Sequence, residues 1–325
     1  MLYSQSTCRQ NNLYLNRFPM AIKELKHQNL TWINIDQVDE EAIFFLKKNY
    51  HFHQLDLEDL QNENHTPKID NYKNYLFIIL QFPHWQADTS TIIPYELDAF
   101  MGDGYLITIQ HSKSKEMKNF FYRCLKKKSI KKDWMSGNSG YLFYRLLEAL
   151  FKNSQPILNN IGRLLSQTEE EIFAGELDLK IVRRLGISRR NILHFRRIME
   201  PQRYLAATLS HTRRSFLDES LSIYFDDITD YLNKLWAIIG TYKDTVEGLH
   251  VTVESLINQR TNKVISALTV ISVSLLPLTL LSGIYGMNVI NLPFAENPKW
   301  VLLMFLALFG IILFVIYLMN KKKWI

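Results

Sequence analysis

The stretch VISALTVISVSLLPLTLLSGI, residues 264–284, decides the fold because it contains no charged residue along its whole length. A second uncharged stretch, WVLLMFLALFGIILFVIYLM at residues 300–319, follows after a short connecting loop. Each reaches the roughly 20 residues that an α-helix needs to cross about 30 Å of hydrocarbon. Buried helices of a soluble protein can also be apolar, but two such runs in tandem near the end of the chain favour two membrane spans.

Lysine and arginine residues near the two spans predict their orientation. Arg260 and Lys263 precede the first span and lysines 321–323 follow the second, whereas the connecting loop contains only Lys299, balanced by Glu296. Positive residues collect on the cytoplasmic side of a membrane, so both ends of the chain are expected in the cytoplasm. The N-terminal residues lack the apolar core and cleavage site of a secretory signal. We therefore expect a multi-pass protein of the plasma or inner membrane.

The first 135 residues alternate between short β-rich runs and helical segments. Helices are expected at 40–49 and 55–60. The β-rich runs are TWINI at 31–35, YLFIILQF at 75–82, ELDAFM at 96–101 and YLITIQ at 105–110. The last two runs flank Gly102-Asp103-Gly104, a typical hairpin turn. Residues 1–135 are therefore predicted to form a cytoplasmic mixed α/β domain.

The chain reads as helical from Tyr141 onward. Apolar residues at spacings of three and four predict helices over 141–173 and 177–199, which suggests a helical hairpin. A heptad seam then follows, in which apolar positions alternate steps of four and three. Its members are Leu221, Phe225, Ile228, Leu232, Leu235, Ile239, Tyr242, Val246, Leu249, Val253 and Leu256. The seam predicts one continuous helix from about Asp218 to Ile284, which packs on the hairpin or on a second copy of itself.

Together these patterns predict an α+β membrane protein with three parts. Residues 1–135 form the α/β domain, and residues 136–263 form the helical hairpin and a long stalk helix. Residues 264–325 form the transmembrane domain, in which the loop 285–299 joins the two spans. The stalk helix is expected to be continuous with the first span.

A stripe of small and hydroxyl-bearing residues follows one face of the first span. Thr269, Ser272, Leu276, Thr279 and Gly283 share this face at helical spacing. The hydroxyl groups could line a narrow wet path, or they could bond back to carbonyls of their own helix. Neither span contains Asp, Glu, Lys, Arg or His, which argues against a proton-relay pump.

Other candidate chemistry is weak. Cys8 and Cys124 lack the spacing of a metal site and cannot form a disulfide framework. The histidines show no zinc-ligand pattern, and no Ser/His/Asp or Cys/His arrangement has a recognisable context, so we expect no enzyme. Arg183, Arg190 and Arg197 recur every seven residues, which is more typical of a solvated helix face than of nucleic-acid binding.

Several segments together resemble the CorA family of magnesium and cobalt transport proteins. The strongest match is NKVISALTVISVSLLPLTLLSGIYGMN at 262–288, which precedes a second span and a basic tail. Upstream, LEDL at 57–60, PKIDNYKNYLFIIL at 67–80 and YFDDITDYL at 224–232 are also similar to that family. The resemblance covers the whole chain.

The resemblance implies a homopentamer in the lipid bilayer, with the first span of each subunit around a central pore. Its GMN motif, here Gly286, Met287 and Asn288, would form the outer selectivity ring. The pore-lining residues below the ring would be Thr279, Leu276, Ser272, Leu268 and Ile265. Some relatives have methionine where this chain has Leu276 and Ile265. Some also have aspartate where this chain has Val251, so an acidic exit ring is not expected at the level of Val251.

The resemblance also implies regulation by the transported ion. In similar proteins, divalent ions bind between the α/β domain of one subunit and the stalk of its neighbour. The matching residues are Asp59, with Glu58 beside it, and Asp227. Solvated surface acids are the alternative interpretation of all three.

The implied function is transport of a divalent cation, Mg²⁺ with Co²⁺ as a second candidate, through a channel gated by intracellular Mg²⁺ and without an organic cofactor. Two alternatives stay open: a Zn²⁺, Co²⁺ or Ni²⁺ transporter of the same family, and a membrane-tethered sensor or scaffold that conducts nothing. Loop residues Asn291 and Glu296 could collect ions at the mouth.

Overall fold

The computed structural model describes residues 22–62, 65–112, 114–175, 178–288 and 298–321. These residues form two compact units, within Met1–Glu247 and Gly248–Ile325. The three-part division given above stays a prediction. The elements are β1 Ile22–His27, β2 Leu30–Ile35, α1 Glu40–Asn49, α2 Gln54–Asp59, β3 Lys68–Asn71, β4 Tyr75–Gln86, β5 Thr91–Gly102, β6 Tyr105–Gln110, α3 Lys115–Lys126, α4 Lys128–Met135, α5 Ser139–Lys152, α6 Ser154–Phe173, α7 Leu179–His211, α8 Ser222–Tyr285 and α9 Pro298–Lys321.

The six strands form one mixed sheet in the order β1-β2-β6-β5-β4-β3. Neighbouring strands are antiparallel except β2 and β6, which pair in parallel. The predicted hairpin joins β5 to β6 through Asp103 and Gly104, and Gly104 has the positive φ of 73° that this turn requires. Because Leu97 pairs with Gln110, the residue after β6 lies beside Glu96 on β5.

Both faces of the sheet are covered by helices. On one face, α1 and α2 contribute Ile43, Leu46 and Leu57 to a core that also contains Phe77 and Phe100. On the other face, the Trp32 ring lies 4.8 Å from the Phe121 ring of α3, and the Phe82 ring lies 4.8 Å from the Phe151 ring of α5. The first unit is therefore a three-layer α/β/α arrangement with two apolar cores.

The predicted strands and the two predicted helices of the α/β domain are all present, and β6 has the predicted bounds. Four elements were not predicted: β1, β3, α3 and α4. The predicted helix 141–173 is divided into α5 and α6 at Asn153. The prediction that the next helix ends at 199 is wrong, because α7 continues through Pro201 to His211. Buried Leu205 and Leu209 in that last part offset the backbone hydrogen bond that proline removes.

The continuous long helix is confirmed. One uninterrupted α8 runs from Ser222 to Tyr285 and includes Pro277. In the first unit its seam packs on the preceding helices: the Phe225 ring lies 6.3 Å from the Tyr144 ring of α5, and the Tyr242 ring lies against Gly162 of α6. The Trp236 ring is also flanked by Arg196, at 4.3 Å from the ring centroid.

Within the part of the chain that the structure describes, two helices are long and apolar enough to cross a membrane: Glu219–Tyr285, which is α8 with the short 3₁₀ turn before it, and Lys299–Met319. No residue is buried within the apolar window of either helix, unlike in the core helix of a soluble protein. The two predicted membrane spans are thus present as exposed apolar helices. Cys8, Asn291, Glu296, Lys322 and Lys323 lie outside the described residues.

Candidate ion-conduction and metal-binding sites

The GMN motif lies where α8 ends. The Gly286 N–H donates to the Ser282 carbonyl at 2.9 Å, and the Met287 N–H donates to the Ile284 carbonyl at 3.3 Å. A Cβ atom at Gly286 would lie 3.0 Å from the Ser282 oxygen, closer than an ordinary contact. Glycine therefore allows this tight helix end, after which the Asn288 side chain is exposed.

The two threonine hydroxyl groups of the stripe bond back to their own helix. Thr269 Oγ1 donates to the Ile265 carbonyl at 2.8 Å, and Thr279 Oγ1 donates to the Leu275 carbonyl at 3.0 Å. The two hydroxyl groups are thus bonded back to their own helix, which is compatible with a wet path along the same face. A hydroxyl whose hydrogen is engaged retains lone pairs that accept hydrogen bonds from water.

The predicted pore face also exposes large apolar side chains. Leu268, Leu276 and Ile265 are 63%, 64% and 55% exposed. An exposed apolar face of this size requires lipid or protein to cover it. Which side chains of α8 meet lipid and which meet another copy of the chain stays a prediction.

The three predicted regulatory acids have different surroundings. Glu58 is exposed and accepts a hydrogen bond from Gln54 Nε2 at 2.8 Å. Asp227 is exposed on α8, in a shallow pocket that also contains Lys152 and Lys234. The predicted metal site between Asp59 of one subunit and Asp227 of another stays a prediction.

Asp59 already contacts Lys68 and His65 of its own chain. Its Oδ2 lies 2.7 Å from Lys68 Nζ, and its Oδ1 lies 3.8 Å from His65 Nε2. Lys68 Nζ also contacts Asp70 at 2.5 Å. Burial alone lowers the pKa of Lys68. The hydrogen bonds to Asp59 and Asp70 raise it by more than burial lowers it, so the net shift is upward.

Helix α2, which contains Glu58 and Asp59, is held against the sheet through its own buried acid, Asp56. Asp56 accepts hydrogen bonds from Tyr72 Oη at 2.8 Å and from Tyr75 Oη at 2.7 Å. Burial raises the pKa of Asp56, and the two tyrosine hydrogen bonds act in the opposite direction. The same tyrosine binds the start of the helix, since Tyr75 Oη accepts from the His53 N–H.

Sequence reasoning missed a second group of metal-binding side chains, Glu96, Asp98 and His111. One potential ligand atom from each lies within 4.8 Å of the other two. His111 Nε2 lies 2.6 Å from Asp98 Oδ2 and 3.5 Å from Glu96 Oε1. Burial raises the pKa of Asp98, and the His111 hydrogen bond acts in the opposite direction. The available signal was the Glu-x-Asp alternation, which places two acids on one face of a buried strand.

Comparison with known proteins identifies the family. The model of the CorA-like Mg²⁺ transporter proteins matches residues 27–322. The chain belongs to the CorA family. This confirms the resemblance drawn from the GMN segment, and it makes the chain a divalent-cation transporter and not an enzyme.

Relatives of the chain cover most of its length. The cobalt/magnesium transport protein CorA of Thermotoga maritima is 26% identical over 298 residues, which are 91% of this chain and 83% of the relative. The zinc transport protein ZntB of Yersinia pseudotuberculosis is 19% identical over 301 residues, 90% of this chain and 88% of that protein.

The fold is also similar to a solved CorA structure. The complete structure of the CorA magnesium transporter from Methanocaldococcus jannaschii has a TM-score of 0.76 at 23% identity and covers 93% of this chain and 94% of that chain. The predicted CorA-like fold is therefore confirmed, with its N-terminal α/β domain, long helix and C-terminal helix.

Proposed function

We propose that this CorA protein conducts Mg²⁺, with Co²⁺ as a second candidate ion, through a homopentameric channel that intracellular Mg²⁺ closes. In this proposal both termini lie in the cytoplasm and the first span of each subunit, the end of α8, surrounds the pore. The observation that supports it most directly is the exposed, uncharged amide of Asn288 at the end of this helix.

A neutral amide suits a hydrated magnesium ion. Mg²⁺ loses its water reluctantly and prefers to keep several octahedral waters, so a filter can hold the ion through its hydration shell. Amide oxygens attract that shell without a full charge, which lets the ion leave again, as conduction requires. The membrane potential supplies about 4.6 kcal/mol for a divalent ion at 100 mV, enough for downhill entry.

The hydroxyl stripe suits the same ion. The hydroxyl groups of Thr269 and Thr279 donate their hydrogen bonds to carbonyls of the helix. Towards the pore their oxygens can therefore only accept, and the water molecules around a hydrated cation point their hydrogens outward to such acceptors. The apolar members Leu276, Leu268 and Ile265 would then form the narrowest, dewetted part of the path. In the assembled pore, other copies of the chain would cover these three exposed apolar side chains.

Closure by intracellular Mg²⁺ is proposed for the interface between α2 and the stalk of the next subunit. Asp59 and Asp227 would approach each other there, with Glu58 beside them. Opposed carboxylates repel unless a cation bridges them, so loading with metal and closing the interface are linked.

Uptake of Mg²⁺ into liposomes with the purified protein tests the proposal. We expect uptake by the wild type and a loss of at least tenfold in Asn288→Ala, with an unchanged native mass of the oligomer. Asn160→Ala, on helix α6 of the first unit, is the matched control and should transport normally. A monomer in lipid, or full uptake by Asn288→Ala, would refute the proposal.

A second candidate is transport of Zn²⁺, Co²⁺ or Ni²⁺, which the similarity to a zinc transport protein favours. Competition among ions in the same assay separates the two, since a zinc transporter would take up Zn²⁺ in the presence of excess Mg²⁺. A sensor or scaffold would take up no divalent ion at all.

A further inference from the structure

We propose that Glu96, Asp98 and His111, together with His65, form a transition-metal site inside the α/β domain of each single subunit. The site is separate from the predicted site between Asp59 and Asp227, because it needs only one chain. The ion would be Co²⁺, Ni²⁺ or Zn²⁺ and not Mg²⁺.

The strand pairing explains why these residues meet. Glu96 and Asp98 are two apart on β5 and therefore point to the same face of the sheet, the face that α1 and α2 cover. His111 follows directly after β6, beside Glu96 in the antiparallel register. His65 lies in the segment after α2, and its N–H donates to Glu96 Oε2 at 3.1 Å.

The distances suit a single ion. Ligand atoms that are each about 2.1 Å from one metal lie about 3 to 3.5 Å apart. Glu96 Oε1 lies 3.5 Å from His111 Nε2 and 3.6 Å from His65 Nδ1. To surround one centre, His111 Nε2 and Asp98 Oδ2, now 2.6 Å apart, would have to separate, and the His65 side chain would have to turn towards the group that Glu96, Asp98 and His111 form.

Unsatisfied buried atoms give a second, independent indication. Asp98 is fully buried and Glu96 is 7% exposed, yet Asp98 Oδ1, Glu96 Oε1 and His65 Nδ1 have no hydrogen-bond partner among the described residues. Buried polar atoms without a partner are rare because each costs free energy. All three atoms are ones that a divalent cation would bind.

The types of ligand select the class of ion. Two imidazoles and two carboxylates suit Zn²⁺, Co²⁺ or Ni²⁺, whereas Mg²⁺ is bound by oxygen ligands and retains water. His65 is 23% exposed at its side chain, which leaves an entry path on one side of an otherwise closed site.

His65 also has a neighbouring carboxylate of the kind that accepts a hydrogen bond from a metal-bound imidazole. A metal-bound imidazole almost always donates its other N–H to a carboxylate or carbonyl. With His65 Nδ1 on the metal, Nε2 would face Asp59 Oδ1, now 3.8 Å away. An ion in this site would thus orient the carboxylate that is predicted to take part in regulation.

Cobalt binding to the full-length protein in detergent tests the site. After removal of metal by a chelator, we expect one Co²⁺ per chain with the strong visible absorption of a four-coordinate ion, and no displacement by excess Mg²⁺. Saturating Co²⁺ should raise the unfolding temperature of the wild type by about 5 to 10 °C at a concentration about 100-fold above its Kd.

Variants assign this binding to residues. Asp98→Asn keeps the side-chain shape and should lose the absorption band and the Co²⁺-dependent shift, whereas Glu171→Gln, the same chemical change on α6, should keep both. Asp59→Asn should weaken binding about 10- to 100-fold. If Asp98→Asn does not fold, as judged by circular dichroism, His65→Gln at the partly exposed edge must lose the band instead.

Two further variants separate this proposal from the proposed function. Asn288→Ala and Asp227→Ala should bind the same Co²⁺, even where flux or regulation is lost. An unchanged absorption band in both Asp98→Asn and His65→Gln would overturn the site, as would equal affinity for Mg²⁺. A wild type that binds no four-coordinate Co²⁺ would overturn the site as well.

Discussion

Lys68 Nζ lies 2.7 Å from Asp59 Oδ2, so the acid predicted to bind regulatory Mg²⁺ already has a positive partner. Both side chains are partly exposed, Lys68 at 37% and Asp59 at 27%. An incoming Mg²⁺ therefore has to compete with an ammonium group of the same chain. If Asp59 binds the regulatory ion as proposed, this competition would help to set the internal Mg²⁺ concentration at which the channel closes.

Replacing Lys68 by methionine should make the channel more sensitive to internal Mg²⁺. A partly exposed ion pair contributes at most about 1 kcal/mol, so half-inhibition should shift to lower Mg²⁺ by up to about fivefold. Flux into vesicles with buffered internal Mg²⁺ measures this shift. Lys73→Met, an exposed lysine in the turn before β4, is the control and should leave inhibition unchanged. A shift to higher Mg²⁺ would argue against Asp59 as a ligand.

The double variant Asp59→Ala with Asp227→Ala should be less inhibited by internal Mg²⁺ than the wild type. The reason is that no pair of opposed carboxylates would remain for the cation to bridge. The same vesicle flux assay applies, and Asp88→Ala, in the turn between β4 and β5, serves as the matched acid control. Unchanged inhibition in the double variant would count against the proposed regulation.

Alanine at Gly286 should reduce flux. A Cβ at this position would lie 3.0 Å from the Ser282 carbonyl, so the end of α8 has to shift by a few tenths of an ångström and the exposed Asn288 moves with it. Gly310→Ala in α9 is the control, because apart from the adjacent helix backbone its Cβ would meet no atom of the described residues within 4 Å. Equal flux in the two variants would show that the position of Asn288 tolerates such a shift.

Alanine at Gly140 should destabilise the first unit. Its Cβ would lie 2.4 Å from the Phe216 carbonyl, which also accepts the Gly140 N–H, so the start of α5 has to move away. We expect a loss of about 1 to 3 kcal/mol in the free energy of unfolding. Gly186→Ala inside α7, where a Cβ meets no described atom within 4 Å apart from the adjacent helix backbone, should stabilise by up to about 1 kcal/mol. Urea unfolding of both variants compares them, and a neutral Gly140→Ala would contradict the close contact.

The thiol of Cys124 should react slowly. Burial raises its pKa from 9.0 to about 11, so at pH 8 the reactive thiolate is about 100-fold rarer than in the unfolded chain. Because the folded-state pKa is the higher one, the stability contribution of the thiol is complete below about pH 9 and is lost as the pH rises towards 11. Iodoacetamide labelling of a Cys8→Ser protein, native and in urea, measures the ratio. Equal rates would mean that Cys124 is accessible.

Elements with a regular apolar pattern could be predicted from the sequence. The heptad seam from Leu221 to Leu256 indicated the long helix, and alternation around the Gly102-Asp103-Gly104 turn indicated β5 and β6. Strand β3 was missed because its four residues have no buried member. Helix α7 was predicted too short, since a proline normally ends a helix and only tertiary burial keeps this one intact.

The candidate metal cluster shows a different limit. Glu96 and Asp98 belong to a strand that the sequence predicted, but His111 and His65 come from other segments, and only the sheet register and the position of α2 bring them together. Residues that come together only in the fold have no fixed spacing in the sequence, so no motif could predict this cluster. The GMN residues, by contrast, are consecutive, so the sequence alone could identify them.

The back-bonded hydroxyls of Thr269 and Thr279 also bear on anions. Their hydrogens already bind the Ile265 and Leu275 carbonyls, so along this face the two threonines have no O–H to offer a chloride ion. An anion entering the proposed pore would give up its water there without compensation. Charge discrimination would then arise from the direction in which hydroxyl groups point, with no acidic residue in the membrane.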